Sequence, residues 1–275
     1  MSELFAGASA ALSSVSVERW HDGMCARACD TVAVEVPVAL EYNGISHAVM
    51  MASPHDLEDF ALGFSVSEGI LGDASELYES EVFGAVEGVR IALRISAKRF
   101  VALKELRRNL TGRTGCGLCG TETLQQAVRH PPPVNSAASF SGASLLAGMA
   151  AMHKQQVMQQ QSGATHAAAW MSAEGGIVFV REDVGRHNAL DKLIGAILRA
   201  GLDRSTGAVL ITSRASVEMV QKVATLGIGM LVAISAPTSL AIELAQETGV
   251  GLLGFVRQKS YVVYAHPERL FEKGE

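Results

Sequence analysis

Aromatic side chains are scarce in this chain. Two Trp, four Tyr and nine Phe make up 5% of its 275 residues, so the interior must be assembled from Ala, Val, Leu, Ile and Met. Cysteine is scarcer: four residues are too few for a disulfide scaffold at this length. Long apolar runs are missing too. The most apolar stretch, Val223 to Ile234, is too short to cross a bilayer, and Ser235, Pro237 and Glu243 follow it, so no membrane association is expected. Met1 to Ser16 has no basic stretch leading into an apolar one; no secretory leader is expected, and the expected location is the cytoplasm. Positive charge is in deficit, with 23 Lys+Arg against 28 Asp+Glu and a formal net charge of -5. That argues against bulk nucleic-acid binding but allows a local basic pocket. The phosphate loop G-x-x-x-x-G-K-[ST], H-E-x-x-H and the nucleophile elbow G-x-S-x-G do not occur. What remains is a folded composition, 48% hydrophobic and 19% charged, sized for one large domain or two small ones.

Residues 1–16 are small and polar and are expected to lack structure. Thr31 to Val36 and Val38 to Tyr42 read as strand, and Asn43-Gly44 as a hairpin turn into a return strand over Ile45 to Met51. Ser53-Pro54 reads as helix cap and first position, with Asp56 completing a capping box. Leu57, Phe60, Ala61 and Phe64 then keep the 3.6 period, and Gly69 ends the helix. A strand over Val89 to Ile95 and a helix over Phe100 to Leu110 complete a small α+β unit. The second half alternates: a helix over about 140–161, strands at Thr165 to Met171 and Ile177 to Arg181 around Glu174-Gly175-Gly176, and a helix over Asn188 to Leu198. Strands at Val209 to Thr212, Leu231 to Ser235, Gly251 to Val256 and Tyr261 to Tyr264 alternate with helices at Val217 to Val223 and Leu240 to Leu244. Strands this apolar point to a largely parallel sheet covered on both faces. The expected fold class is α/β in two domains: a small α/β domain over 17–110 and a three-layer α/β domain over 135–275, joined by a cysteine loop and linker over 111–134.

The sharpest local chemistry is Cys116-Gly117-Leu118-Cys119, in a segment with four glycines in ten residues. Residues 94–113 hold seven Lys/Arg and one Glu, a field that favours thiolate, the nucleophilic form. Such a pair suits persulfide relay, disulfide exchange or metal ligation; the plainer reading is two buried thiols. Cys25 and Cys29, four apart, would share a helix face and with the later pair reach four thiolates, but their surroundings read as local packing. No metal site is expected. Arg181 to Lys192 crowds charge between an apolar strand and an amphipathic helix, with Asp183 or Asn188 as caps and Arg186 or Lys192 as phosphate partners. In parallel sheets ligands sit beyond the strand C-termini, which puts Arg181-Glu182-Asp183, Ser213-Arg214 and Ser235-Ala236-Pro237 on one rim. Ser216 is a candidate cap, and Arg214 is either a phosphate clamp or a surface charge. Thr165-His166 is a weaker companion. Phe255-Val256-Arg257-Gln258-Lys259-Ser260 offers two cations and a stacking ring, or simply a polar hairpin turn.

Gly115 to Gly120 and the run Asp183-Val184-Gly185-Arg186-His187-Asn188-Ala189-Leu190-Asp191-Lys192 together resemble the FdhD/NarQ family of formate dehydrogenase accessory sulfurtransferases. Ser67-Glu68-Gly69-Ile70, Thr165-His166-Ala167-Ala168, Thr212-Ser213-Arg214 and Ser235-Ala236-Pro237-Thr238 also match, over about residues 30–267. The resemblance implies a cytosolic homodimer. It implies that a cysteine desulfurase passes persulfide sulfur to Cys116 and Cys119, and that the protein delivers it to the bis-guanine-dinucleotide molybdenum cofactor for formate dehydrogenase. It implies that Phe255, Val256, Arg257, Gln258, Lys259 and Ser260 bind guanine nucleotide, with GDP as a surrogate ligand, and a second domain resembling the cytidine-deaminase fold. Arg214, Arg186 and His187 are the further contacts expected, the last two near the metal end. The deaminase zinc apparatus does not carry over, since the span from Pro131 onward contains no cysteine. The residues leave open a Cys-x-x-Cys thiol–disulfide oxidoreductase, a non-catalytic cofactor-binding chaperone and a small zinc-stabilised scaffold.

Overall fold

The computed structural model describes residues 10–110 and 129–271. Arg113, Cys116 and Cys119 of the thiol loop lie outside the described residues.

The chain enters through a hairpin. Leu12–His21 (β1) pairs with Met24–Ala33 (β2), in register from Leu12 opposite Ala33 to His21 opposite Met24. Structure therefore begins inside the segment expected to lack it. The signal was the turn Asp22-Gly23, whose φ values of 49 and 77° are those of a type I′ hairpin. The extended run expected over Thr31 to Val36 is broken: β2 ends at Ala33, and Val36–Tyr42 (β3) begins a new sheet. Ile45–Ala52 (β4) returns across Asn43-Gly44, both at positive φ as expected. Leu77–Ala85 (β5), which the sequence reading missed, pairs with Gly88–Ile95 (β6). The sheet order is β4-β3-β6-β5, with β3 and β6 parallel.

Leu57–Ser67 (α1) begins later than the capping box implied. Asp56 is the cap, without a side-chain bond to the helix, because Ser53 is used elsewhere. The inward residues of β3, namely Val36, Val38, Leu40 and Tyr42, pack in one core with Phe60, Ala61 and Phe64 of α1. Ala97–Leu110 (α2) follows β6, and Leu103 joins the same core.

The helix expected over 140–161 is two helices, Gly142–Lys154 (α3) and Val157–Ser162 (α4), preceded by Phe140–Ser141 (β7). Then come His166–Met171 (β8), Ile177–Asp183 (β9), Arg186–Arg199 (α5), Ala208–Ile211 (β10), Val217–Thr225 (α6), Met230–Ala233 (β11), Ser239–Thr248 (α7), Gly251–Arg257 (β12) and Ser260–Ala265 (β13). Leu270–Phe271 (β14) pairs with β7.

The large sheet has the order β13-β12-β11-β10-β8-β9. It is mixed, not largely parallel: β10, β11 and β12 run parallel, while β8, β9 and β13 are antiparallel to their neighbours. The reason is loop length. β9 follows β8 through a short turn around Gly175, and β13 follows β12 through Gln258-Lys259. Neither loop can hold the dozen residues of a parallel crossover.

The three layers are as expected. Ala168, Trp170, Val209, Ile211 and Leu231 face Leu190, Leu193, Met219, Val220 and Leu244 on α5, α6 and α7. Ala167, Ala169, Met171, Leu210 and Val232 face Leu145, Met149 and Met152 on α3. The first of these cores runs without a break into the N-terminal sheet through α1. α1 and α5 meet at backbone contact, since a Cβ on Gly63 would overlap the Asp191 carbonyl and one on Gly195 the Asp59 carbonyl.

Candidate functional site

Strand direction gathers the sequence motifs on one rim. β9, β10, β11 and β12 end there, while β8 and β13 begin there. Backbone bonds make the loops contiguous. Ala215 N donates to Ala236 O (3.2 Å), Thr238 N to Ala215 O (3.1 Å) and Phe255 N to Ser235 O (3.2 Å). The loops of Arg214, Pro237 and Phe255 are thus one surface. On the other side of β10, Ala167 N donates to Thr212 Oγ1 (2.8 Å), bringing His166 alongside. A groove of about 450 Å³ opens there, lined by His153, Gln156, Thr165, His166, Thr212 and Ile234.

Among the expected ligand contacts, Val256 is buried and faces the core. Arg214, Arg257, Gln258, Lys259 and Ser260 are exposed. Phe255 and Gln258 hold left-handed backbone, at φ 53 and 56°. The Arg257 guanidinium sits 5.6 Å from the Phe255 ring centroid, so one face of that ring is already engaged. Ser216 caps α6 in position, but without a side-chain bond to the helix.

The Arg181 to Lys192 stretch divides into spent and unspent charge. Lys192, read as a phosphate partner, is fully buried and pairs with Asp183 at 2.7 Å while donating to Ser53 O at 3.0 Å. It cannot meet a ligand. Burial pulls its ammonium down and Asp183 works against that. Asp183 also accepts from Ser53 N, Gly185 N and Asn188 Nδ2, at 3.0, 2.8 and 3.0 Å. Neither Asp183 nor Asn188 is the cap of α5; Gly185 is. Glu182 accepts from Met158 N and Gln159 N, both at 2.9 Å, and from Thr165 Oγ1. It thereby seats the first turn of α4 beside the groove.

Arg186 and His187 are half-buried and open α5. Among the described residues, buried Arg186 Nε and His187 Nε2 have no hydrogen-bond partner. Native structures leave few such atoms, which makes the pair candidate ligand contacts. Burial, then Arg186 and Lys222, push His187 down to about 4, so the ring is neutral near pH 7. Burial and Arg186 lower His166 as well.

Sequence reasoning missed the network beneath. Lys222 Nζ donates to Asp191 Oδ1 (2.8 Å) and Oδ2 (3.0 Å), Glu68 Oε1 (2.7 Å) and Ser67 Oγ (2.9 Å). Ser67 Oγ in turn donates to Asp191 Oδ1 at 2.7 Å. Burial works against the Lys222 charge, but Asp191 and Glu68 override it and hold the ammonium above its ordinary value. Burial pushes Asp191 up while Lys222 and Ser67 pull against it; both carboxylate oxygens accept from Lys222. One signal was available. Asp191 and Lys222 each interrupt an apolar helix face, between Leu190 and Leu193 and between Val220 and Val223.

Cys25 and Cys29 are exposed on β2, not packed as small hydrophobes. They do share a face, but on a strand four residues span about 13 Å, beyond a shared metal or disulfide within one chain. Among the described residues no group of three or more His, Cys, Asp or Glu is placed to hold a metal ion.

The family model described as the FdhD/NarQ family matches residues 33–271. The chain is 56% identical over 258 residues to the sulfur carrier protein FdhD of Cupriavidus necator, covering 94% of this chain and 90% of that one. It is 55% identical over 241 residues to the protein of the same name from Bordetella petrii, covering 88% and 87%. A solved structure described as a putative formate dehydrogenase accessory protein from Desulfotalea psychrophila superposes with a TM-score of 0.74, over 95% of this chain and all of that one. At 24% identity that likeness concerns the fold.

Proposed function

This chain belongs to the FdhD/NarQ family, whose members include sulfur carriers, and from that premise we propose that it takes persulfide sulfur from a cysteine desulfurase and delivers it to the bis-guanine-dinucleotide molybdenum cofactor used by formate dehydrogenase. One observation carries the assignment of the carrier. Cys116 and Cys119 are the only thiols within the family-matched span 33–271, because Cys25 and Cys29 precede it.

In the loading step the Cys116 thiolate attacks the outer sulfur of the desulfurase's cysteine persulfide. The donor S–S bond breaks, the donor thiolate leaves, and Cys116 carries the persulfide. In the release step the Cys119 thiolate attacks the inner sulfur of Cys116. The outer sulfur departs as hydrosulfide toward the acceptor, and a Cys116–Cys119 disulfide remains. The two electrons that reduce the sulfur come from the two thiols, and a cellular thiol reductant restores the pair.

The acceptor is a polyanionic substrate, and the rim residues fit it. Arg214, Arg257 and Lys259 are exposed cations on contiguous loops, and Arg186 Nε and His187 Nε2 are unspent. Guanine nucleotide at Phe255 to Ser260, a homodimer acting in the cytoplasm, and the likeness of the second unit to the cytidine-deaminase fold belong to the same proposal.

The test is mass spectrometry after incubation with a desulfurase and cysteine, which should show one added sulfur, about +32 Da, on Cys116 or Cys119. Replacing both by Ala should abolish formate dehydrogenase activation while the protein stays folded. Full activation by the double variant refutes the carrier role.

A further inference from the structure

Cys25 and Cys29 precede the span that the family model matches, and the carrier reading has no use for them. Both are exposed on one face of β2, with exposed Arg27 midway between them. Among the described residues β1 and β2 form a sheet of two strands, so the outer edge of β2 has no strand beside it. A ribbon of two strands is marginal by itself, and an open edge is a template for a further strand. Protected edges carry Pro, Lys or a bulge. β2 has neither Pro nor Lys, and its register against β1 runs unbroken from Met24 to Ala33. The tip of the hairpin also exposes large apolar side chains, Trp20 at 68% and Met24 at 72%.

The turn fixes which backbone groups face that edge. A tight turn at Asp22-Gly23 closes with Met24 N–H donating to the His21 carbonyl, and bonded and non-bonded pairs alternate from there. Cys25, Arg27 and Cys29 fall on the non-bonded positions, opposite Trp20, Glu18 and Ser16, so their N–H and C=O groups point away from β1 into the open edge. Two such edges, run antiparallel about a two-fold axis at Arg27, set Cys25 of each copy opposite Cys29 of the other. Pairs of this kind exchange backbone bonds and hold their Cα atoms about 5.5 Å apart, inside the roughly 4.4–6.8 Å that a disulfide bridges. A slip of one position would set Cys25 against Ala28 or Asp30 instead. The remaining pairs are compatible. Ala26 meets Ala28, and the two Arg27 meet at the axis with each opposite Glu18 of its own chain, so that row carries no net charge.

We propose that the free edge of β2 pairs with the same edge of a second copy of this chain, and that oxidation locks the pair through two Cys25–Cys29 disulfides. The interface stands apart from the sulfur-carrier reading and is additional to any dimer formed within the family-matched span. With the thiols reduced, it is held by backbone bonds alone. The oxidant is a low-molecular-weight disulfide such as glutathione disulfide. The Cys25 thiolate attacks it, one glutathione thiolate leaves, and Cys25 holds the mixed disulfide. The Cys29 thiolate of the second copy then attacks the Cys25 sulfur, and the second glutathione thiolate leaves. Each bridge passes two electrons from two cysteines to one glutathione disulfide.

The experiment uses the full chain with Cys116 and Cys119 replaced by Ser, so that only the β2 thiols remain. After incubation with glutathione disulfide, Cys25→Ser alone and Cys29→Ser alone should each run as single chains on a non-reducing denaturing gel. An equal mixture of the two, one of them isotopically labelled, should give a covalent heterodimer that a thiol reductant dissolves. Peptide masses should join Cys25 of one chain to Cys29 of the other. Exposed Lys154→Cys, in a chain whose four native cysteines are all Ser, should stay single. No heterodimer from the mixture, with both variants keeping the parent's circular dichroism, overturns the proposal. Cross-linking of either variant with itself would show a different register and overturn it equally. So would equal cross-linking through Cys at position 154, which would mark the contact as random collision.

Discussion

Lys222→Met is the most discriminating perturbation of the network below the rim. Methionine matches the length of the lysine stem, so the substitution removes charge and donors with little change in volume. The lysine side chain is 5% exposed and that of Asp191 2%, so water cannot replace the lost partner. Among the described residues Asp191 would keep only Ser67 Oγ as a donor. Stranding one member of a buried ion pair costs about 3–5 kcal/mol. At about 2–4 °C per kcal/mol for a domain of this size, the melting temperature should fall by roughly 6–20 °C at pH 7. The sign of the pH dependence is fixed as well. Burial already holds Asp191 above its ordinary value, and without Lys222 the largest opposing influence is gone, so its folded-state pKa rises further above the unfolded value. A raised carboxyl destabilises the folded state once pH exceeds the unfolded value, increasingly up to the folded one. The deficit of Lys222→Met relative to the parent should therefore shrink as pH falls from 7 toward 4. Adding Asp191→Asn should recover part of the loss at pH 7. Thermal melts by circular dichroism at several pH values measure all of this. A deficit under about 1 kcal/mol, or one independent of pH, would show that the network is solvated and the burial argument wrong.

Two further outcomes concern the rim. His187 is held neutral, down to about 4, so the unfolded chain binds more protons between about 4 and the ordinary value of 6.5. The stability it contributes is complete above 6.5 and lost as pH falls through that window; His187→Gln should flatten that part of the profile, and an unchanged slope would assign it to other groups such as His55, which is also lowered to about 4. Calorimetry with GDP should show about ten-fold weaker binding for at least one of Arg257→Ala, Lys259→Ala and Arg214→Ala, with added salt weakening the parent. Unchanged affinity in all three, each folded, would move the nucleotide site to the basic helix α2.

Much of the architecture was legible because it rests on local chemistry. Asn43-Gly44 takes positive φ at both positions, and little else than a tight hairpin results from that. Leu57, Phe60, Ala61 and Phe64 share one helical face, and they are buried together. The apolar strands of the second half are covered on both sides, which is why no alternation marks them. What was misread depended on distant partners. Ser53-Pro54 resembles a helix start, yet Ser53 N donates to Asp183, 130 residues away, and the helix begins at Leu57. β5 escaped notice because all but two of its nine residues are exposed, which leaves little apolar periodicity to read.

For the site, sequence alone determined which loops share the rim. Turn lengths decide strand direction, and direction decides whether a strand begins or ends there; the run from Arg181 to Lys192 is in place for that reason. The sequence also carried the family, through motifs whose order survives without any coordinates. It did not determine which charges face a ligand. Arg186 and Lys192 are equally cationic on paper, but Lys192 is buried against Asp183 while Arg186 Nε is left without a partner among the described residues. Only the tertiary structure separates them. A charge is spent or available according to its burial and its partner, and here the partners come from Ser53 just after β4, from α1 and from α6, brought together by a core that closes only when the chain is folded.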